Sequence, residues 1–211
     1  MNRWVVRAFV AVAAVALAAC TGSLFQSKAA PAAVYLLSAG PGSTGNRATI
    51  PVDLAVLKPR VRPGLESDRI AVLYADRHLD YLADARWSGP LGEVLQDLAV
   101  QEFHSHANLR TVSADGSVFA SAYWLEFEVA DFQAEYTSVG TAPIVRVHFL
   151  ARIGSSGDRH ILGQFSARAQ QPAAENRLTS IVDAYARAAN AALAEIAEHA
   201  GELLAEASEI R

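Results

Sequence analysis

The chain has 211 residues, of which 52% are hydrophobic and 19% are charged, and its 18 basic and 22 acidic residues give a formal charge of −4. A chain this hydrophobic with so little net charge is predicted to fold, not to be disordered. The one Cys excludes a disulfide framework and a Cys-rich metal site, because each needs several thiols. The acidic balance argues against nucleic acid as a partner, since phosphate binding requires clustered Lys and Arg.

The first residues are typical of a secretory signal. Arg3 and Arg7 accompany a run of small apolar residues that ends in Leu17-Ala18-Ala19-Cys20. The run is too short to span a membrane, which takes about 20 apolar residues. Its last four residues are similar to the processing site of bacterial lipoproteins, so residues 1–19 are predicted to be removed and Cys20 to carry the lipid. A plain secreted protein or an uncleaved anchor is the alternative.

The sequence after the signal divides into a tether and one domain. Residues 20–33 are small, polar and rich in Ala and Pro, which predicts a flexible lipidated tether. No second linker and no internal repeat follows. We therefore expect one domain over residues 34–200, followed by a C-terminal extension at 201–211.

The first half of the domain is predicted to contain short strands and one helix. Alternating apolar residues indicate strands, and a spacing of three to four indicates a helix. These patterns predict strands at 34–37, 50–56, 69–74 and 79–87 and a helix at 90–106.

The second half is predicted to contain three longer strands and a closing helix. The strands cover 123–129, 145–153 and 161–169, and the helix covers 174–208. If it were unbroken, this helix would be about 50 Å long, which exceeds the width of a domain of this size. We therefore expect a break near Gly201 or a projecting end.

This order of elements predicts an α+β fold. It consists of a single domain with a mostly antiparallel (mixed) sheet and two helices packed on one face, the second helix being long. If the strands at 123–129 and 145–153 are neighbours, Glu126 and Glu128 can pair with Arg146 on the other face of the sheet.

Motifs for chemistry are weak in this sequence. Residues 40–47 have the glycine spacing of a phosphate-binding loop, but Asn46 and Arg47 stand where that loop needs Lys and Ser or Thr. His104 and His106 would point about 200° apart on a helix and could not share a metal. No nucleophile motif is present. We expect no enzymatic activity, no cofactor and no metal site.

One aromatic residue differs from the others in its predicted position. Trp124 falls on the strand face that also carries Glu126 and Glu128, whereas Tyr123 and Phe127 fall on the apolar face. An aromatic side chain on a polar face is a candidate for a partner or ligand contact.

Four segments in order give the chain a family resemblance. They lie at 34–37, 65–72, 81–87 and 128–132, and the D-R-I-A-V and A-R-W sequences within the second and third are the most specific. Following a lipidated Cys, this set resembles the ABC-type transport auxiliary lipoprotein family, the PqiC-like component of Pqi transport systems. The similarity covers about Tyr35 to Ala197, whereas the chain continues beyond the usual family end through Gly201 to Arg211.

The resemblance implies a lipoprotein of the outer membrane that faces the periplasm. Its implied partners are an MCE-domain (MlaD-like) protein, which forms a lipid conduit between the membranes, and the associated permease and ATPase. The implied role is to hold the end of that conduit, with a homo-oligomeric ring as a possible arrangement. Cys20 is the implied lipid attachment site.

Two alternatives stay open at this stage. Arg86 and Trp87 belong to the family pattern and are candidate partner contacts, but they could instead fix the corner between a strand and the first helix. The function could also be that of an envelope assembly or binding lipoprotein that takes no part in lipid transfer.

Overall fold

A computed structural model of the chain describes residues 31–40, 49–115, 120–138 and 140–209. The predicted signal peptide, Cys20 and nearly all of the tether lie outside the described residues, as does most of the glycine-rich segment at 40–47. Within the described ranges the chain forms nine strands and two helices. They are β1 (Ala33–Tyr35), β2 (Ile50–Val56), β3 (Arg60–Val61), β4 (Arg69–Tyr74), β5 (Leu79–Trp87), α1 (Leu91–His106), β6 (Leu109–Ala114), β7 (Tyr123–Tyr136), β8 (Ile144–Ser155), β9 (Ile161–Pro172) and α2 (Leu178–Glu209).

All described strands belong to one mixed sheet organised around β7. The main path of neighbours is β1-β5-β4-β7-β2-β6, with β3 also beside β7 and with β8 and β9 added in turn. The long β7–β8 and β8–β9 ladders and the β4–β5 hairpin are antiparallel, while β1, β2, β3 and β6 make parallel pairs. The α+β prediction is confirmed. The strands β3 and β6 were not predicted from the sequence.

β7 is twice the length that the sequence pattern predicted because it contains a bulge. Its buried side chains are odd-numbered up to Val129, and the register then shifts before Asp131. Beyond that point the buried apolar side chains are the even-numbered Phe132 and Ala134. A bulge of one residue exchanges the two faces of a strand, so a simple alternation ends there although the strand continues.

The first helix begins immediately after Pro90. Pro fixes its own backbone angle without needing an N–H bond, which suits a helix start. The apolar stripe predicted for this helix is buried, and Leu95, Leu98 and Phe103 have no exposed surface. After the helix, Asn108 adopts a positive φ of 47°, a conformation that Asn tolerates well, and the chain then enters β6.

The closing helix is continuous through Gly201, so the expected break does not occur within the described residues. α2 runs from Leu178 to Glu209 without interruption. At about 1.5 Å per residue it is about 48 Å long, which matches the roughly 46 Å of the 14-residue strand β7. The sheet is long enough to support the helix, and Leu204, beyond the glycine, is 0% exposed.

A cluster of aromatic side chains joins α2 to the sheet. The Tyr185 ring lies 5.3 Å from Trp87 and 5.1 Å from Phe132, measured between ring centres. Phe149 stacks on Phe132 with the ring centres 6.4 Å apart. The Tyr185 hydroxyl donates a hydrogen bond to the Ala71 carbonyl, and burial raises the pKa of this phenol. The contact between α2 and the sheet is therefore stabilised by a hydrogen bond as well as by apolar packing.

The outer face of the sheet, opposite the helices, carries ion pairs whose partners differ from those expected. Glu126 is paired with Arg152 at 2.5 Å and with Arg60 at 3.3 Å, and Arg60 also approaches Glu128. Arg146 instead pairs with Glu135. The β7–β8 register explains this correction, because it sets Glu126 opposite Arg152 and places Arg146 near the other end of the ladder.

No helix among the described residues is long and apolar enough to cross a membrane.

Gly154 is predicted to be required by the packing of Trp124. A Cβ atom at this glycine would lie 2.4 Å from the indole and 2.7 Å from the His160 carbonyl. We expect Gly154→Ala to lower the free energy of unfolding by about 1–3 kcal/mol, because the backbone carbonyl cannot move aside freely. Urea denaturation measures this change. Gly157→Ala, where no such contact exists, is the control, and equal stabilities of the two variants would contradict the prediction.

The end of α2 is predicted to be part of the folded domain, not an appendage. Leu204→Ala should lower the free energy of unfolding by about 2–5 kcal/mol, because it removes a fully buried side chain. The matched control is Glu206→Ala on the exposed face of the same turn. A Leu204→Ala variant as stable as the control would show that this part of the helix does not pack on the sheet.

Candidate functional site

Two of the family-like sequence segments meet where β5 passes into α1. The Trp87 N–H donates to the Asp68 carbonyl at 2.7 Å, and the Leu91 N–H donates to the Ser67 carbonyl at 3.0 Å. The Arg86 guanidinium lies 3.6 Å from the Asp68 carboxylate. The D-R-I-A-V and A-R-W segments thus brace one another, and their contacts set the direction in which the first helix leaves the sheet.

Trp87 faces the interior at this corner. Its side chain is 1% exposed and packs edge to face against Tyr185 and Phe132. In this conformation the indole offers no surface to a partner. The geometry therefore favours the alternative stated for this residue, that it fixes the strand-to-helix corner.

Arg86, by contrast, points outward at the edge of the sheet. Its side chain is 53% exposed, and it stands in register with Val34 on the neighbouring strand β1. Val34 is 54% exposed and Leu36 is 71% exposed. We call Val34, Leu36 and Arg86 the β1 edge patch. Among the described residues, β1 is the terminal strand of the main sheet path and is three residues long, so no further described strand pairs with its outer edge.

Trp124 lies on the outer face, as predicted, but it is already partly engaged. Its Nε1–H donates to the Ser155 carbonyl at 3.2 Å, and its ring covers Gly154 on β8. The side chain is half-buried. The part of this side chain that stays exposed can add to a contact, while the hydrogen bond to Ser155 holds it to its own domain.

A buried carboxyl group on the first helix contacts Gly40, the first residue of the glycine-rich segment. Glu102 accepts a hydrogen bond from the Gly40 N–H at 3.1 Å, and the His106 ring nitrogen lies 3.0 Å from its other oxygen. Burial raises the pKa of Glu102. His104 is exposed and does not join this group. Across the part of the chain that the structure describes, no group of three or more His, Cys, Asp or Glu side chains could hold a metal ion.

Three arginines that no sequence motif singled out line a cleft on the outer face. Arg62, Arg77 and Arg146 come from three separate segments, and the pairing of β4 and β8 with β7 brings them together. Local spacing carries no signal for such a group, because the residues are neighbours only in the folded sheet.

Comparison with known proteins gives one family and several related folds. Residues 35–197 match the model of a family described as "ABC-type transport auxiliary lipoprotein component". A search of the curated proteins gave no match. A crystal structure of a DUF330-family protein from Xanthomonas campestris has a TM-score of 0.76 and 19% identity over 84% of this chain and 99% of that chain.

Two further solved structures share the fold at lower similarity. A structure of an uncharacterized protein has a TM-score of 0.61 and 15% identity over 81% of this chain and 99% of its own. A hypothetical protein from Chlamydia trachomatis has a TM-score of 0.52 and 10% identity, over 74% and 99% respectively. At these identities the three structures show a common fold and nothing about shared chemistry.

The family match covers more than half of the chain and confirms the resemblance seen in its motifs. A lipoprotein family implies a location in the cell envelope, and its description as a transport auxiliary component indicates association with an ABC-type system. The chain belongs to the ABC-type transport auxiliary lipoprotein family.

Proposed function

We propose that the chain is a non-catalytic lipoprotein that docks a lipid conduit at the outer membrane, facing the periplasm. The observation that carries this proposal is the family match over residues 35–197, which follows closely after a lipoprotein-like processing site at Cys20. The proposed partner is an MCE-domain (MlaD-like) protein that forms the conduit for phospholipid between the membranes. The associated permease and ATPase would supply the energy.

The short distance between Cys20 and the first strand supports a role at one membrane. Residue 33 opens β1, so about 13 residues separate it from the proposed lipid, and these span at most about 45 Å when fully extended. A domain held within that reach stays close to its own bilayer. A path to the other membrane must therefore come from a partner.

The β1 edge patch is the place where we propose that the partner binds. It combines an exposed guanidinium, two exposed aliphatic side chains and the edge of the terminal strand in the described sheet. A strand edge can pair with an extended segment of another chain, and the side chains beside it then select that segment. Several copies of the chain, arranged as a ring, would present this patch repeatedly around a conduit.

The proposed lipid attachment is tested by changing one residue. Cys20→Ser removes the thiol that would carry the diacylglycerol, so the variant should no longer incorporate radiolabelled palmitate. Thr21→Ser, one residue away, should incorporate it as the natural chain does. Label on the Cys20→Ser variant equal to that on the natural chain would contradict the assignment of Cys20.

The proposed partner is tested by co-purification from crosslinked cells. With the natural chain as bait, we expect an MCE-domain protein in the outer-membrane fraction. Leu36→Asp should lower its recovery by about tenfold, which is about 1.4 kcal/mol of binding, because it places a charge in the apolar part of the patch. The matched control is Leu150→Asp on the outer face, where the leucine is 42% exposed.

Two results would count against the partner. Recovery of only other envelope proteins would support the alternative role of an assembly or binding lipoprotein. Equal loss of the MCE-domain protein from both Asp variants would show that the β1 edge patch is not the docking site. Thermal unfolding of both variants verifies that each is folded.

A further inference from the structure

A cleft of about 480 Å³ opens on the outer face of the sheet, away from the β1 edge patch. Its size falls in the range of about 300–1,000 Å³ that small-molecule sites occupy. β7 forms the floor, β8 lies on one side of it, and the segment after β3 and the β4–β5 hairpin lie on the other side. Arg62, Arg77 and Arg146 each stand on a different wall segment.

The two carboxylates in the cleft are already neutralised. Asp131 lies 3.5 Å from Arg62, and Glu135 pairs with Arg146 at 2.5 Å. Gln133, which is buried between them, donates to both carboxylates at 3.3 and 3.2 Å and accepts the Phe132 N–H. This glutamine and the two arginines hold both carboxylates in place.

The guanidinium groups, in contrast, have donors to spare. Each guanidinium carries five N–H groups in a planar fork, and the contacts of Arg62 and Arg146 use only part of them. Arg77 forms no ion pair and no side-chain hydrogen bond with the described residues. It lies in the β4–β5 turn, where its backbone has a φ of 68°. The cleft therefore presents hydrogen-bond donors and positive charge to whatever enters it.

Apolar side chains complete the lining beside Arg62 and Arg77. Leu73 and Leu79 face one another across the β4–β5 hairpin, and Leu65 lies beside them. Arg62-Pro63-Gly64-Leu65 forms the tight turn that carries this wall: the Leu65 N–H donates to the Arg62 carbonyl at 3.0 Å, and Gly64 has a φ of 91°. Pro and Gly at these positions are what a type II turn requires.

We propose that this cleft binds the anionic phosphate headgroup of a phospholipid. Arg is the side chain best suited to phosphate, because its fork matches two phosphate oxygens at once. A free phosphate ion would use only the arginines, whereas a phospholipid also places its glycerol and first methylene groups against the leucines. The inference rests on the proposed function for its lipid source, since the anchored domain lies within reach of a bilayer surface.

The test is a calorimetric titration of the mature lipidated protein in a maltoside detergent. The probes are dihexanoylphosphatidylglycerol below its micelle concentration, inorganic phosphate, and dihexanoylglycerol, which lacks the phosphate. The probes also release or absorb heat when they enter detergent micelles. Titration of the Arg77→Glu variant in the same detergent measures this background heat. Arg187→Gln, an exposed arginine on α2, is the matched control for loss of one positive charge.

We expect the phospholipid to bind at least about tenfold more tightly than either other probe, and Arg77→Gln to weaken it by about tenfold. Arg77→Lys should recover part of that loss, and Arg187→Gln should bind as the natural chain does. Inorganic phosphate binding as tightly as the phospholipid would overturn the lipid assignment. Equal binding by the natural chain and Arg77→Gln, or no heat beyond the Arg77→Glu background, would overturn the site.

This titration contains no partner protein, so its failure is distinct from a failure of the docking proposal. If the lipid binds but no MCE-domain protein co-purifies, the headgroup site is supported and the docking proposal is not.

Discussion

The architecture of this domain depends on one long strand with a bulge. β7 offers its whole length on one side to β8, and on the other side it pairs successively with β2, β3 and β4. The register shift before Asp131 keeps Phe132 on the helix side after Val129. Without it, the second half of the strand would turn its apolar side chains to solvent. The aromatic cluster, the length of α2 and the outer cleft all follow from this strand.

The sequence predicted those elements whose patterns are local. The helix stripe of α1 and the alternation in β8 need only neighbouring residues, and both are found as predicted. The bulge could not be foreseen, because a single extra residue resembles the end of a strand. A break near Gly201 or a projecting end was expected for α2, yet the helix is continuous, and Gly201 packs beside Ala107 at the end of α1. The cleft arginines are separated in sequence and share no motif.

The family motifs have different roles when placed in the fold. Trp87 and the backbone of Asp68 act inside the domain, where they fix the corner before α1. Arg86, their neighbour, is at the surface beside two exposed aliphatic residues. Adjacent positions of one family motif can therefore have different roles, one in the packing of the domain and the next at its surface. We place docking at the β1 edge and headgroup binding at the outer cleft, two surfaces that can act independently on one anchored domain.

The central claim is that the chain joins a conduit to a membrane so that phospholipid can pass. The most direct measurement is transfer of a fluorescent phospholipid from donor vesicles to acceptor vesicles that carry the lipidated chain, with the purified MCE-domain partner added. The account predicts faster transfer with the natural chain than with Leu36→Asp, and no acceleration when the partner is left out. Equal transfer rates with the natural chain, with Leu36→Asp and with chain-free vesicles would contradict it.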